Sequence, residues 1–243
     1  MDFIFQHGGG QGAWIWDETI AAMEAQAPGK HRYLALDVPG CGAKRDRDTA
    51  DMPFPAIVDE LVADIRAAGF GNAMLVGHSQ AGTVMPGIAR QAPELVRRLV
   101  CVSCCAPAAG EGTAECAARL HVGADTPVAR NFGKPEVPVL DQFRAMFCND
   151  MAPDEAETFL GKLLKDQWPP SSYAWRDWSY DFAAPVTYVV CLADAILTVA
   201  GQEEFAARLR ADRLVRIDAG HQVQNTRPQG LAEILLHEAR AAA

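Results

Sequence analysis

The sequence predicts an α/β fold in which helices cover a mostly parallel sheet on both faces. Two observations support this fold class. Short apolar runs rich in Val, Ile and Leu alternate with longer amphipathic segments along most of the 243 residues, and this alternation is typical of parallel sheets with helical crossovers. The short runs are also apolar on both faces, as expected of strands buried between two helix layers.

The predicted elements follow one another in regular order. Six strands are predicted at residues 3–6, 33–37, 73–77, 98–103, 186–192 and 213–218. Helical patterns lie at about residues 13–27, 55–68, 80–91, 201–210 and 228–240. The second helix has the clearest signal, because IVDELVADIRAAG carries apolar residues at helical spacing and closes on a glycine. Ligands of such sheets bind beyond the carboxyl ends of the strands, so site residues are expected there.

One long segment, from about residue 107 to residue 182, lacks this alternation. It contains prolines, several aromatic residues and short helical pieces such as PDEAETFLGKLL. A segment of this length is too long for a plain loop in a compact domain. We therefore predict a core formed by residues 1–106 and 183–243, with residues 107–182 inserted as a mainly helical cap over the carboxyl edge of the sheet.

The composition is that of an ordinary globular protein, with 49% hydrophobic and 22% charged residues. The formal net charge of −9 argues against nucleic acid or an anionic membrane as a partner, since both require a basic surface. No apolar run approaches the roughly 20 residues that span a bilayer, and Met1 is not followed by a recognisable secretory signal. The sequence leaves the question of a homodimer open.

The chain has seven cysteines, an odd number that does not suggest a disulfide framework. A cytoplasmic location is therefore expected. Cys101 and Cys104 form a C-x-x-C pair, which redox-active and metal-binding sites also use. The pair lies on a strand-like run rather than at a helix start, and no second pair completes a zinc site. We interpret these residues as small buried hydrophobic side chains, and we expect no metal and no cofactor.

The stretch LVGHSQAGTV places Ser79 between a buried strand and a helix. A serine on such a sharp turn adopts strained backbone angles, which requires small residues two positions before and two positions after it. Gly77 and Ala81 satisfy this requirement. The turn would present the hydroxyl as a nucleophile at the positive end of the helix. The alternative is a serine that only caps the helix.

Two further residues at strand ends supply what a serine nucleophile needs. A histidine must remove the hydroxyl proton, and a carboxylate must orient that histidine. In a fold with this kind of turn they follow the last two strands, in the order serine, acid, histidine. Asp194 follows the strand in VTYVVCLAD, and His221 follows the strand in RLVRIDAGH. Asp218 is a rival acid, but its place at the end of a strand favours a structural role.

The loop HGGGQG after the first strand predicts an oxyanion hole. Its glycines allow backbone N–H groups to approach a bound carbonyl, and the hole needs one N–H from this loop and one from the residue after the nucleophile. We nominate Gly9 and Gln80. A dinucleotide site is the alternative, but the loop does not match G-x-G-x-x-G cleanly, and Asp37 at the second strand end leads into the turn VPGCG.

On these residues the chain resembles the α/β-hydrolase superfamily over nearly its full length. The segments HGGGQGAWIW, DVPGCG, GHSQAG, LADAIL and DAGHQVQNTRP resemble the branch of plant methyl-ester esterases, hydroxynitrile lyases and bacterial pyrethroid-type esterases. The FCND segment and the helix after it resemble the cap of that branch. The resemblance implies a triad of Ser79, Asp194 and His221, with an oxyanion hole at Gly9 and Gln80.

The implied reaction is hydrolysis of a carboxylic ester through an acyl-enzyme, with a small hydrophobic or aromatic ester as the substrate. A hydroxynitrile or carbon–carbon lyase on the same triad is an alternative. The lyases of this branch resemble one another in a lysine after the catalytic histidine and a threonine in the first loop. Here those positions hold Gln222 and Gly8, which disfavours lyase activity. A receptor-like binding module is a third hypothesis, and the intact triad argues against it.

An apolar substrate needs apolar walls, and several aromatic residues are candidates for them. These are Trp14, Phe143, Phe147, Trp168, Trp175 and Trp178. More than half of them are expected to be core residues instead. His121 is a candidate polar contact, with a surface histidine as the alternative. Gly8 and Gln222 complete the set of candidate substrate-binding residues.

Overall fold

The sheet has six parallel strands. The computed structural model describes residues 1–123, 125–131, 133–163, 165–174 and 176–242. The strands are β1 (Asp2–Gln6), β2 (Arg32–Leu36), β3 (Ala73–His78), β4 (Val96–Val102), β5 (Val186–Cys191) and β6 (Arg213–Ile217), and they lie in the order β2-β1-β3-β4-β5-β6. Every neighbouring pair is parallel. The predicted fold class is therefore confirmed, and each predicted strand agrees with an observed one to within two residues at either end.

Helices connect the strands and cover both faces of the sheet. The described residues contain α1 (Asp17–Gln26), α2 (Phe54–Ala67), α3 (Met85–Gln91), α4 (Thr113–Ala118), α5 (Pro127–Asn131), α6 (Val139–Phe147), α7 (Pro153–Leu163), α8 (Val199–Arg208), α9 (Val223–Thr226) and α10 (Pro228–Ala241). Two predicted helices begin instead as tight 3₁₀ turns, at Ala13–Trp16 and Ser79–Thr83. The second turn directly follows β3, whereas the first follows the loop at residues 7–12 after β1.

The two faces of the sheet form two separate apolar layers. Alternate residues of a strand point to opposite faces, so neighbours along β3 belong to different layers. Leu75 joins the layer that contains Leu61 of α2. Val76 joins the layer that contains Met23 of α1 and Leu235 of α10. Because both layers are filled, β3 and β5 are buried along their whole length, as their uninterrupted apolar sequences predict.

Residues 107–182 connect β4 to β5 and contain α4 to α7. Five buried side chains of this segment form a small apolar cluster of their own: Cys148, Ala156, Phe159, Leu160 and Leu163. Trp14 of the first 3₁₀ turn packs against that cluster and so links it to the sheet domain. The helical content agrees with the expectation from the sequence, while the division of the chain into a core and a cap stays a prediction. We call residues 107–182 the inserted segment.

The cysteines lie in the interior. All seven are buried and unpaired as disulfides. Burial raises the pKa of the Cys104 thiol well above its usual value and that of Cys105 to about 12, so these thiols stay protonated near neutral pH. Their environment is that of small buried hydrophobic residues, as the strand-like context of the C-x-x-C pair indicates.

Among the helices described above, none has the length and apolar character needed to cross a bilayer. Within the described residues, no three His, Cys, Asp or Glu side chains are grouped as a metal site would require.

The connection from β3 to α3 is packed closely around Gly77. A side chain at this position would meet the sulfur of Met85 and would lie 2.8 Å from the Cβ of Ala81. The small residues two positions before and two positions after Ser79 therefore face each other across the turn. The turn can be this tight only because both of them are small.

Gly77→Ala is expected to lower the free energy of unfolding by about 1–3 kcal/mol, the usual cost of an extra methyl group in a filled core. Gly161→Ala in α7 is the matched control. No neighbouring atom lies within 4 Å of the added Cβ at that position, and helix propensity should stabilise the variant by up to about 1 kcal/mol. Urea unfolding of both variants measures the difference. Equal stabilities would contradict the close packing at Gly77.

Candidate active site

Ser79 lies at the first position after β3, in the turn that leads to α3. Its φ of 54° is in the left-handed region, which a residue with a side chain adopts only under local strain. The backbone N–H of Cys105, at the exit of β4, donates to the carbonyl of Ser79 at 3.0 Å and helps to hold this conformation. The residue that caps the turn is His78, and no side-chain capping hydrogen bond is formed there. The alternative of a helix-capping serine is therefore wrong.

A chain of two hydrogen bonds joins Ser79 to a buried carboxylate. The Oγ of Ser79 lies 3.0 Å from Nε2 of His221, and Nδ1 of His221 lies 2.7 Å from Oδ2 of Asp194. The side chains of His221 and Asp194 both have an exposed fraction of 0%. The two residues follow β6 and β5, so parallel strands bring all three groups to one edge of the sheet. Asp218, the rival acid, is exposed directly after β6.

Asp194 is held by several donors besides the histidine. Its Oδ1 accepts the backbone N–H groups of Ile196 and Leu197 at 2.7 and 2.8 Å. Its Oδ2 also accepts the hydroxyl of Ser103 at 2.5 Å. These bonds compensate for the burial of the carboxylate and fix the oxygen that faces His221. The sequence reasoning missed Ser103, although its position at the end of the predicted strand beside the nucleophile strand was a usable signal.

His78 supports the backbone of His221. Burial lowers the pKa of His78 well below its usual value, and a charge on His221 would lower it further. The ring is therefore neutral, and its Nε2 donates to the carbonyl of His221 at 2.8 Å. A ring nitrogen that is already bonded in this way is not available as the base for Ser79.

The loop after β1 is fixed through the carbonyl of Gly8. The Val38 N–H donates to Nε2 of His7 at 3.1 Å, and burial lowers the pKa of His7, so its proton lies on Nδ1. That Nδ1 donates to the Gly8 carbonyl at 2.8 Å, and the indole N–H of Trp168 donates to the same oxygen at 2.9 Å. A trans peptide holds C=O and N–H in opposite directions. The Gly9 N–H is therefore directed away from both rings.

Gly9, Ser79 and Gln80 line one cavity of about 460 Å³, a size typical of sites for small organic ligands. The N–H of the neighbouring Gly8 is not available for a ligand, because it donates to the side chain of Gln11 at 3.1 Å. A side chain at Gly9 would meet the side-chain oxygen of Gln80, so glycine lets the two strand ends approach each other. The apolar side chains of the cavity wall include Val128, Met146, Phe147, Leu163, Ile196 and Leu197.

Three of the predicted substrate-binding residues line this cavity: His121, Phe143 and Phe147. Phe147 also packs edge-on against the ring of His221, with 5.8 Å between the ring centres. His121 is only 6% exposed, so the alternative of a surface histidine is wrong. Its Nε2 lies 2.7 Å from the carbonyl of Ile196, and its Nδ1 lies 2.9 Å from the hydroxyl of Thr126.

The other candidates do not line the cavity, and their positions correct the expectation. Trp14 donates its indole N–H to Asp166 at 3.0 Å and packs on the apolar cluster of the inserted segment. Trp168 is fully buried against the loop after β1, where its hydrogen bond to Gly8 holds it. Gly8 lies against Ser79, but both of its backbone polar groups are bonded within the protein. Its N–H donates to Gln11, and its carbonyl accepts the indole N–H of Trp168.

Two further residues lie elsewhere, and one lies outside the described residues. Gln222 is fully buried, with its side-chain oxygen bonded to the amide of Gln224. Trp178 donates to the carbonyl of Glu111 at 2.7 Å and packs edge-on against Phe54, beside a different pocket. The indole N–H of Trp178 and the side-chain oxygen of Gln222 are bonded within the protein, and neither residue lines the cavity. Trp175, the last aromatic candidate, is outside the described residues.

The sequence of this chain matches a known protein family. A sequence model described as the alpha/beta hydrolase family matches residues 3–234. This chain therefore belongs to the alpha/beta hydrolase family, and the resemblance of its strand-end motifs to that superfamily is confirmed.

Individual relatives are named as esterases. Probable esterase PIR7A of Oryza sativa subsp. indica is 34% identical over 110 residues, which are 45% of this chain and 41% of that protein. Esterase Rv0045c of Mycobacterium tuberculosis is 28% identical over 254 aligned positions, which cover 96% of this chain and 80% of that protein. The chain thus spans less than half the length of the first relative and most of the second.

A solved structure shows the same fold. It is an extracellular alpha/beta-hydrolase from a Paenibacillus species, described as sharing structural and functional homology with tobacco salicylic acid binding protein 2. The two structures superpose with a TM-score of 0.78 at 20% sequence identity, and 98% of each chain is covered. At this identity the likeness concerns the fold.

Ser79→Gly is expected to be more stable than Ser79→Ala by about 1 kcal/mol. Both variants lose the hydrogen bond to His221, but only glycine removes the strain of a positive φ, and this gain exceeds the extra chain entropy of glycine. Chemical denaturation of the two variants measures the difference. Ser172, whose φ is negative, is the control: there glycine should be less stable than alanine. The same order at both positions would contradict a strained Ser79.

Proposed function

We propose that this protein is a serine hydrolase that cleaves carboxylic esters of small hydrophobic or aromatic compounds. One observation carries the proposal: the hydrogen-bond chain from Asp194 through His221 ends on the hydroxyl of Ser79, which lines a largely apolar cavity. The two relatives described above, which are named esterases, support the same reaction class.

In the acylation step Ser79 attacks the carbonyl carbon of the ester. The Asp194 carboxylate holds the proton of His221 on Nδ1, which leaves Nε2 free to accept the hydroxyl proton as the Oγ–carbon bond forms. The carbonyl oxygen becomes an oxyanion. The intermediate then collapses, the alkoxy group leaves with the proton from His221, and the acyl group remains on Ser79.

In the deacylation step water takes the place of the alcohol. His221 removes a proton from that water, the hydroxide adds to the acyl carbon, and a second oxyanion forms. Collapse returns the proton to Oγ and releases the carboxylic acid. The balance of the two steps is one ester and one water converted to one acid and one alcohol, with the enzyme unchanged.

The oxyanion is stabilised by the backbone N–H groups of Gly9 and Gln80. Donors of this kind each lower the barrier by roughly 3–4 kcal/mol in comparable enzymes. Trp168 and His7 act as positioning residues, because their hydrogen bonds to the Gly8 carbonyl set the plane of the Gly8–Gly9 peptide. Trp168 thus serves the reaction without touching the substrate.

The inserted segment serves as the cap of this site and provides most of the apolar substrate-binding wall. Val128, Phe143, Met146 and Phe147 come from this segment and line the cavity that Ser79 reaches. A wall of this kind favours an apolar acyl or aryl group over a charged one next to the ester.

The lyase and receptor alternatives gain no support from the site. In the related lyases a lysine follows the catalytic histidine, whereas Gln222 is fully buried at that position and is bonded to Gln224. A binding module would not need a serine in strained geometry hydrogen-bonded to a histidine and a buried carboxylate. Ester hydrolysis uses each of these features.

Ser79→Ala and His221→Ala are each expected to reduce hydrolysis of p-nitrophenyl acetate and butyrate by at least about 1000-fold. The wild type should be labelled by a fluorophosphonate, and mass spectrometry should place the label on Ser79. It should also release p-nitrophenol in a burst when deacylation is slower than acylation. Both variants should retain the circular dichroism spectrum of the wild type. If either kept most of the wild-type activity, the triad assignment would fall.

Trp168→Phe is expected to reduce kcat for the same esters by about 10-fold, with KM changed less than about 3-fold. The variant keeps a large buried ring but loses the donor to Gly8, so the Gly9 N–H is held less firmly. Trp178→Phe is the matched control, because it loses an indole hydrogen bond to Glu111, outside the cavity. Similar kinetics in the two variants would contradict a positioning role for Trp168.

A further inference from the structure

Two adjacent polar residues of the inserted segment contact both of the loops that carry the acid and the base. Asn149 and Asp150 follow α6 in the chain. The side-chain amide of Asn149 donates to the carbonyl of Ala193 at 2.7 Å. The Oδ2 of Asp150 accepts the backbone N–H of Gly220 at 2.7 Å. Ala193 directly precedes Asp194 and Gly220 directly precedes His221, so each contact is one residue away from a member of the proposed triad.

The two loops are also bonded to each other, which closes a ring of hydrogen bonds. The N–H of Ala193 donates to the carbonyl of Ala219 at 3.0 Å, and Ala219 is the neighbour of Gly220. The ring therefore runs from Asn149 to the acid loop, across to the histidine loop, and back to Asp150. A closed ring of hydrogen bonds restrains the position of one loop relative to the other more than separate hydrogen bonds would.

Gly220 is packed closely against the side chains of Asn149 and Asp150. A side chain there would lie 2.7 Å from the side-chain oxygen of Asn149 and would meet the Oδ1 of Asp150. Asp150 is fixed in turn from a second direction, since the hydroxyl of Thr226 donates to its Oδ2 at 2.9 Å. Arg227 lies 4.0 Å from the same oxygen.

We propose that Asn149 and Asp150 are positioning residues that set the acid loop and the histidine loop in register for proton transfer. The inference rests on the proposed function, because it concerns the geometry of the same triad. Proton transfer along Asp194, His221 and Ser79 needs both hydrogen bonds at once, and a displacement of about 1 Å can cost on the order of 100-fold in rate. The inserted segment thus completes the catalytic geometry as well as the cavity wall.

The kinetic test uses Asn149→Ala, Asp150→Ala and Asp150→Asn in the full-length chain. Asp150→Ala is expected to reduce kcat for p-nitrophenyl butyrate by about 10- to 100-fold and Asn149→Ala by about 10-fold, with KM changed less than about 3-fold. Asp150→Asn retains an oxygen that can accept the Gly220 N–H, so it should recover most of the loss. Asp141→Ala, an exposed carboxylate of α6, is the matched control and should match the wild type.

A second measurement reports on geometry without any substrate. The proton between His221 and Asp194 should give a downfield proton resonance in the NMR spectrum of the wild type, and Asp194→Asn assigns it. Asn149→Ala and Asp150→Ala should shift or broaden that resonance, while Asp141→Ala and Asp150→Asn should leave it near its wild-type position. Thermal unfolding shows whether each variant is folded. If Asp150→Ala does not fold, Asn149→Ala and Asp150→Asn still provide the comparison.

The two proposals fail in different ways. If the wild type hydrolyses no ester and takes no fluorophosphonate, the proposed function falls, while a resonance that moves in Asn149→Ala still supports the positioning role. If the wild type is an active esterase and the folded Asn149 and Asp150 variants keep both its kcat and its downfield resonance, the positioning role falls alone. A loss of kcat with an unchanged resonance would also overturn it, since the loss would then not come from the triad geometry.

Discussion

A buried hydrogen bond joins His221 to Asp194 at 2.7 Å, and the arrangement of the surrounding loops depends on it. A carboxylate and an imidazole with no solvent contact must find all their partners within the protein, since an unsatisfied buried charge is costly. Asp194 meets this demand with two backbone N–H groups and the hydroxyl of Ser103. The loop after β5 is therefore folded around the carboxylate, and the histidine is presented to Ser79 as a consequence.

The parallel sheet places the parts of this arrangement close together. The carboxyl ends of β1, β3, β5 and β6 share one edge, so the loop after β1, Ser79, Asp194 and His221 start from neighbouring positions. The loops then set only the final position of each group. His78 fixes the backbone of His221, and His7 and Trp168 fix the peptide before Gly9. Each support uses a neutral ring nitrogen that donates to a backbone carbonyl.

The inserted segment contributes to the candidate site in three ways, of which the sequence predicted only the first. It provides apolar walls of the cavity, it donates the Trp168 indole N–H to the loop after β1, and it contacts the loops before Asp194 and His221 through Asn149 and Asp150. A segment with these contacts cannot move far from the sheet edge without changing the geometry around Ser79. The wall of the cavity and the positions of Ser79, Asp194 and His221 are linked through this segment for this reason.

The sequence by itself determined the sheet, the order of its strands along the chain, and the residues at the strand ends. These features follow from local signals: apolar runs of strand length, a glycine-flanked serine, and an acid and a histidine at fixed offsets after strands. Only the tertiary structure decided which of the candidate aromatic and polar residues line the cavity. Trp14, Trp168 and Gln222 were expected at the substrate. The hydrogen-bond partners of Trp14 and Trp168 are distant in sequence and hold these side chains elsewhere, while Gln222 is buried and bonded to the nearby Gln224. Ser103 and Asp150 were assigned no role from the sequence, although Asp150 lies in the FCND segment, because their contacts join strand ends and loops that only folding brings together.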